Sequence, residues 1–181
     1  MKLAVIFPGI GYTCDKPLLY YSGKLAAKCG YEVIPVPYGN FGKDVKGNAK
    51  KMRESFEHAL LQAEEMLSCV RWNEYEDIVF ISKSIGTVVA SCYAKKHGLH
   101  VRSILFTPLP ETYEFAEMPA CAFHGTSDQW ADTPEIKNAA KRTGIPLYLT
   151  ENANHSLETG DVLKDTENLR GVLEIVKDML K

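Results

Sequence analysis

The chain has 181 residues, of which 45% are hydrophobic and 24% charged, and its formal net charge is −2 at pH 7. This length predicts one domain, residues 1–181, with a sizeable core, and the scattered basic residues give no electrostatic reason to expect nucleic-acid binding. The apolar run before Pro8 is too short for a signal peptide, and no later run approaches the roughly 18 residues of a membrane span. We therefore expect a cytoplasmic protein that binds neither nucleic acid nor membranes.

Strands and helices alternate along the whole chain. Continuous apolar runs predict buried strands, and apolar residues at helical spacing predict helices between them. This alternation is typical of a mainly parallel sheet with helices on both faces, so it predicts a three-layer α/β/α sandwich. The prolines of the second strand place it at an edge, and a polar loop is predicted at 40–47. The predicted strands are 2–7, 31–38, 77–82, 101–107, 119–125 and 146–150, and the predicted helices are 17–29, 49–70, 85–97, 133–142 and 168–180.

The third predicted strand ends in the sequence SKSIG, immediately before a helix. A serine between two small residues, at a turn from strand to helix, predicts a nucleophile elbow with Ser84 at its centre. The N–H of Ile85 is then an oxyanion donor at the helix N-terminus. The alternative is that Ser84 only caps the helix. Ser82 is the weaker candidate because it still lies within the strand.

A serine nucleophile needs a base and an acid that orients the base. His155, in a polar loop after the sixth strand, is the predicted base, and Asp128, in the loop after the fifth strand, is the predicted acid. The alternatives are a solvated loop histidine and a turn aspartate, and Asp132 is equally suited to capping the next helix. His124 is expected to make a structural hydrogen bond near the site.

Four short sequences carry a resemblance to a known family. FPGIGYT, ISKSIGT, HGTSDQW and NANHSLE resemble, in this order, the oxyanion turn, elbow, acid loop and histidine loop of the α/β-hydrolase superfamily. The resemblance covers nearly the whole chain and implies a minimal α/β-hydrolase fold of about six strands, without a cap or lid domain. Pro8 stands where the family often has histidine, and Ser82 where it often has glycine.

The resemblance implies a serine hydrolase that acts on a small ester, thioester or related acyl compound, with no metal or cofactor. It implies Ile10 as a second oxyanion donor, although Pro8–Gly11 is also compatible with a simple chain reversal. An acyltransferase or peptidase using the same triad stays open, as does a non-catalytic binding protein. Five widely spaced cysteines without a CxxC pair predict reduced thiols and no zinc site. The predicted pocket residues are Gly11, Tyr12, Leu109, Tyr113 and Trp130.

Overall fold

The computed structural model describes residues 1–42, 45 and 47–181. Within them, six strands alternate with five α-helices, except that no α-helix lies between the fourth and fifth strands. The strands are β1 (Lys2–Phe7), β2 (Tyr31–Pro35), β3 (Asp77–Lys83), β4 (Arg102–Phe106), β5 (Ala120–Gly125) and β6 (Leu147–Thr150). The helices are α1 (Pro17–Lys28), α2 (Ala49–Leu67), α3 (Ile85–Lys96), α4 (Thr133–Thr143) and α5 (Val162–Met179).

The six strands form one sheet in the order β2-β1-β3-β4-β5-β6, and every neighbouring pair is parallel. The predicted sheet is therefore confirmed, as is the position of β2 at an edge. Because all strands run in one direction, the loops that follow β1, β3, β5 and β6 meet at the same edge of the sheet. The predicted triad and oxyanion residues follow these strands, whereas the predicted pocket residues Leu109 and Tyr113 follow β4.

Helices cover both faces of the sheet, which confirms the three-layer architecture. Successive strand residues point to opposite faces. Ala4, Val79 and Ile81 pack in one cluster with residues of α1 and α5, such as Leu19 and Val176. On the other face the strands pack against α2, α3 and α4. That face is represented by Leu3, Val5, Phe80, Leu105 and Ala122, together with Ala59, Val89 and Ile136 from the helices.

Three predicted boundaries were wrong by three residues or more. One is the end of α2, which lies at Leu67 instead of residue 70. The second strand ends at Pro35 instead of residue 38. The N–H of Val36 still donates to Ile6, but Tyr38 N–H then donates back to the carbonyl of Val36, so the chain turns away from the sheet. The last helix begins at Val162, six residues before the predicted start at 168, because the Asp161 side chain accepts the N–H groups of the first turn.

The connection between β4 and β5 is short and has no α-helix. It contains a 3₁₀ helix, Pro110–Glu114, and a hydrogen bond 2.6 Å long between the Thr87 and Thr112 hydroxyls joins this helix to α3. The loop predicted at 40–47 lies partly outside the described residues, at positions 43, 44 and 46. Among the described helices, none combines the length and the apolar character that crossing a membrane requires.

Candidate active site

Ser84 lies at the junction of β3 and α3 in an unusual backbone conformation, with φ of 55° and ψ of −127°. A positive φ is rare for a residue with a side chain, and such strain concentrates at functional sites. Ser84 occupies the N-cap position of α3, but its side chain makes no capping hydrogen bond. Its Oγ instead lies 2.7 Å from Nε2 of His155. The capping alternative therefore does not account for this serine.

The tight turn around Ser84 depends on a close backbone approach at Gly86. A Cβ atom at this position would lie 2.4 Å from the carbonyl oxygens of both Phe7 and Pro8, too close for any side chain. Ser82, two residues before Ser84, is fully buried and its hydroxyl donates to the carbonyl of Ile104 at 3.2 Å. Ser82 thus has a structural hydrogen bond inside the sheet.

His155 and Asp128 come together from the loops after β6 and β5. His155 Nδ1 lies 2.7 Å from Oδ2 of Asp128. The second oxygen of Asp128 accepts the N–H of Trp130 at 2.7 Å, so the carboxylate is held from two sides. The Trp130 ring stacks on the imidazole, with centroids 5.4 Å apart and an interplanar angle of 22°. Ser84, His155 and Asp128 form one continuous hydrogen-bonded line.

Burial and neighbouring charges determine the pKa values of His155 and Asp128. Burial lowers the pKa of His155, and the nearby charge of Lys83 lowers it further, although the hydrogen bond to Asp128 raises it. Burial raises the pKa of Asp128, but the hydrogen bond and charge of His155 outweigh burial and leave the pKa below its ordinary value. The balance favours a neutral imidazole beside an ionised carboxylate.

Two neighbours of Asp128 have other roles. Asp132 caps α4, since its side chain accepts the N–H of Glu135 at 3.3 Å. His124 is fully buried and its Nε2 lies 2.9 Å from the Thr133 hydroxyl. Its Nδ1 is 3.7 Å from Asp128, too far for a hydrogen bond, and has no partner in the described part of the chain. The hydrogen bond to Thr133 holds His124 beside the acid.

The turn after β1 lies beside the serine. Backbone hydrogen bonds between Gly9 and Tyr12, 3.0 and 3.3 Å long, close a turn that has Ile10 and Gly11 at its centre. Gly11 has a φ of 72°, which glycine adopts readily. A Cβ on Gly9 would lie 3.1 Å from Cβ of Ser84, so the turn backbone is directly against the serine. Neither Ile10 nor Ile85 donates its N–H to any other group within the described residues.

The predicted pocket residues differ in their surroundings. Leu109 and Tyr113 are only 5% and 4% exposed and pack in a core cluster with Ile85, so little of their surface faces solvent. Gly11 is exposed. Tyr12 is buried, its hydroxyl oxygen accepts the N–H of Leu18 at 3.1 Å, and burial raises its pKa to about 12. Trp130 contacts His155 directly.

Lys83 was not predicted to have a role, and the structure places it next to the site. It is 1% exposed, and its Nζ lies 5.0 Å from the centroid of the Tyr12 ring. The signal was present in the sequence, because a strand alternates its faces and position 83 points the same way as Val79 and Ile81, into the core. Among the described residues no group of three or more His, Cys, Asp or Glu side chains is arranged to hold a metal.

Neither a protein-family model nor a curated protein matches the chain by sequence. Similar solved structures include a candidate hydrolase of the alpha/beta superfamily from Xanthomonas campestris, with TM-score 0.66, 13% identity and coverage of 97% of this chain and 98% of that one. The esterase Pf2001 of Pyrococcus furiosus has TM-score 0.67 and 14% identity, over 99% of this chain and 84% of the esterase. Est1E of Butyrivibrio proteoclasticus, solved with ferulic acid bound, has TM-score 0.66 and 13% identity, over 96% and 89%. At these identities the likeness shows the fold alone, which is that of the α/β-hydrolases.

Proposed function

We propose that this chain, built on the α/β-hydrolase fold, is a serine hydrolase that cleaves a small ester, thioester or related acyl compound. The observation that carries the proposal is the line from Asp128 through His155 to Ser84, with 2.7 Å at each step. These are the distances that general-base activation of a serine needs. The esterases among the structural neighbours agree with this activity without establishing it.

The proposed reaction follows from the geometry. With its proton on Nδ1, the imidazole donates to Asp128 and accepts the hydroxyl proton of Ser84 at Nε2. The serine oxygen attacks the substrate carbonyl, and the N–H groups of Ile85 and Ile10 stabilise the oxyanion that forms. The imidazolium returns its proton to the leaving group, which departs and leaves an acyl-enzyme.

Water completes the cycle by the same proton path. His155 removes a proton from water, and the resulting hydroxide attacks the acyl carbonyl. The tetrahedral intermediate collapses, the bond to Ser84 breaks, and the serine oxygen regains its proton from His155. Every step uses groups of this chain and water. An acceptor other than water would give acyl transfer by the same route, so products formed with competing amines or alcohols separate the two activities.

The short hydrogen bonds favour catalysis over a purely binding role. A binding protein has no need for a strained serine whose hydroxyl is 2.7 Å from a buried imidazole. The N–H groups of Ile10 and Ile85, free of other acceptors in the described chain, also support an oxyanion site. Of the pocket walls proposed from the sequence, Trp130 has the most direct support, since its ring stacks on the imidazole of His155.

The decisive experiment compares two serines of the same strand end. We expect Ser84→Ala to abolish hydrolysis of p-nitrophenyl acetate and labelling by a fluorophosphonate. Ser82→Ala is the control, because it removes a buried hydroxyl of β3 that bonds only to the Ile104 carbonyl. Turnover that survives in Ser84→Ala, with both variants folded by circular dichroism, would exclude the proposed function.

A further inference from the structure

An apolar cavity of about 440 Å³ lies between α1, α5 and the loop that carries His155. Its volume is within the range of small-molecule sites, which are mostly apolar with a few placed polar groups. At its mouth Val162 is 75% exposed, which is unusual for a large apolar side chain. The apolar walls come from Tyr12, Leu18, Leu157, Val162, Leu169 and Val172.

Two segments of the candidate active site form walls of this cavity. Tyr12 closes the turn that carries Ile10, and Ser156 and Leu157 directly follow His155. Leu157 has a φ of 60°, a strained conformation for a bulky side chain, and it is nevertheless buried in the cavity wall. A group bound in the cavity therefore lies against the segments that position the oxyanion donor and the base.

The polar groups of the cavity restrict what it can bind. Glu158 and Asp165 contribute carboxylates, and among the described lining residues there is no lysine, arginine or histidine. An anionic occupant would be repelled. Asn168 also lines the cavity, and its side-chain amide nitrogen is buried without an acceptor in the described chain. A buried donor of this kind is satisfied by an oxygen acceptor on a ligand.

On the basis of the proposed hydrolase activity, we propose that this cavity binds the uncharged apolar part of the substrate, an alkyl or aryl group with an acceptor oxygen for Asn168. The group can belong to the acyl side or to the alcohol side of the ester. Two series of substrates show whether the bound group belongs to the acyl side or to the alcohol side. One varies the acyl chain of p-nitrophenyl esters from acetate to octanoate, and the other varies the alcohol of acetates from ethyl to octyl.

The test uses two adjacent residues of the first turn of α5. Val162 lines the cavity, whereas Leu163 does not, although the two are similarly exposed at 75% and 77%. We expect Val162→Trp to lower kcat/KM for the long substrates of one series about tenfold relative to the short substrates of the same series, the size of effect that hydrophobic pockets give. We expect Leu163→Trp to leave kcat/KM for long and short substrates unchanged.

The outcomes are distinguishable. The cavity assignment is overturned if p-nitrophenyl acetate is still cleaved and the ratio of kcat/KM for long substrates to kcat/KM for short ones is unchanged in Val162→Trp. It is also overturned if Val162→Trp and Leu163→Trp lose the same factor in kcat/KM. Faster turnover of an anionic hemisuccinate ester than of a neutral ester of equal size also overturns it. If the wild type does not cleave p-nitrophenyl acetate at all, the proposed function fails instead.

A second inference rests on a different observation, the burial of Lys83. A charged group in the core needs a compensating partner, and among the described residues Lys83 forms no salt bridge. Its Nζ lies over the ring of Tyr12, 5.0 Å from the centroid, where a cation is attracted to the ring face. At the end of the ring, the Tyr12 hydroxyl accepts the N–H of Leu18 in α1. Two separate contacts therefore hold the ring.

We infer that Lys83 is a positioning residue whose ammonium group fixes Tyr12, and with it the Gly9–Tyr12 turn that presents the Ile10 N–H to the oxyanion. The turn is closed by two backbone hydrogen bonds of Tyr12, so a displaced ring moves the turn. A lysine with only a structural role would change the free energy of unfolding and leave kcat unchanged. Lys83 instead affects kcat, because the turn that it positions presents the Ile10 N–H to the transition state.

The charged groups around Lys83 make its proposed effect on kcat depend on pH. Burial lowers the pKa of Lys83 to about 7, while the charges of Asp128 and Glu158 raise it. Its own charge in turn lowers the pKa of His155. Above neutral pH the ammonium loses its proton and its attraction to the Tyr12 ring, so kcat is expected to decline on the alkaline side.

The variants Lys83→Met and Lys83→Arg separate charge from volume. We expect Lys83→Met to lower kcat about tenfold with little change in KM, and to remove the decline of kcat at alkaline pH. Its free energy of unfolding should be no lower than that of the wild type, since an apolar side chain suits the core. We expect Lys83→Arg, which keeps the charge, to recover most of kcat. Wild-type kcat and an unchanged pH profile in Lys83→Met overturn the inference.

Tyr12 provides an independent pair of variants should Lys83→Met fail to fold. Tyr12→Phe keeps the ring and loses only the hydroxyl, whereas Tyr12→Leu removes the ring. We expect Tyr12→Phe to retain the alkaline decline and Tyr12→Leu to lose it together with most of kcat. Equal kcat in the two variants would contradict the role of the ring contact.

Discussion

The imidazole Nε2 of His155 lies 2.7 Å from the hydroxyl of Ser84, although 71 residues separate them in the chain. The contact exists because β3 and β6 are parallel strands of one sheet, so the loops after them open at the same edge. A strained backbone at Ser84 and a carboxylate behind His155 complete the arrangement.

Asp128→Asn tests whether the carboxylate supports the base. The amide keeps the shape of the side chain but offers no negative charge to the imidazolium and favours the wrong tautomer, so we expect kcat to fall about 10³–10⁴-fold. Asp132→Asn is the matched control, because Asp132 caps α4. It is expected to cost at most about 1 kcal/mol of stability and to leave kcat unchanged. Equal kcat for both variants would contradict the role of Asp128.

The acid side of the pH profile reports on His155. The imidazole must be neutral to accept the serine proton, and its pKa is lowered from 6.5 chiefly by burial. We therefore expect the acidic fall of kcat/KM for p-nitrophenyl acetate to have its midpoint below pH 6.5. The check is a pH–rate profile in buffers of constant ionic strength. A midpoint of the acidic fall above 6.5 would refute the expectation.

Stability is expected to decrease with acidification from neutral pH. Burial lowers the pKa of both His124 and His155 from 6.5 in the folded state. The unfolded chain therefore binds more protons below about 6.5, and the free energy of unfolding decreases as pH falls through that value. Urea unfolding at pH 8, 6.5 and 5 measures the slope. His155→Gln should reduce the slope, and a stability that rises between pH 6.5 and 5 would contradict the prediction.

Gly86→Ala and Gly171→Ala are the same substitution with opposite expected effects. A Cβ at Gly86 meets the carbonyl oxygens of Phe7 and Pro8 at 2.4 Å, so the elbow must move apart from β1. We expect a loss of about 1–3 kcal/mol in the free energy of unfolding, with impaired activity because Ser84 shifts. Gly171 lies on the exposed face of α5 with no atom within 4 Å of an added Cβ. There alanine should add about 0.5–1 kcal/mol, with activity unchanged.

Much of the fold was predictable because it depends on local patterns. Apolar runs and turn residues identified each β-strand and α-helix of the described residues, but neither 3₁₀ helix, and the alternation of strands and helices is compatible with few architectures. Boundaries were less predictable where a single side chain decides them. The start of α5 depends on Asp161, which caps a turn whose exposed Val162 and Leu163 break the amphipathic pattern.

The sequence by itself determined a parallel α/β sandwich, and it indicated Ser84, Asp128 and His155 by their places after strands. Only the tertiary structure decided that their side chains meet, that Ser82 bonds to the sheet, and that Asp132 caps a helix. It alone showed that the ammonium group of Lys83 lies over the Tyr12 ring and that a cavity lies beside the loop of His155. The physical reason is that hydrophobic periodicity is local along the chain, whereas hydrogen-bond partners and cavities arise where distant loops pack together.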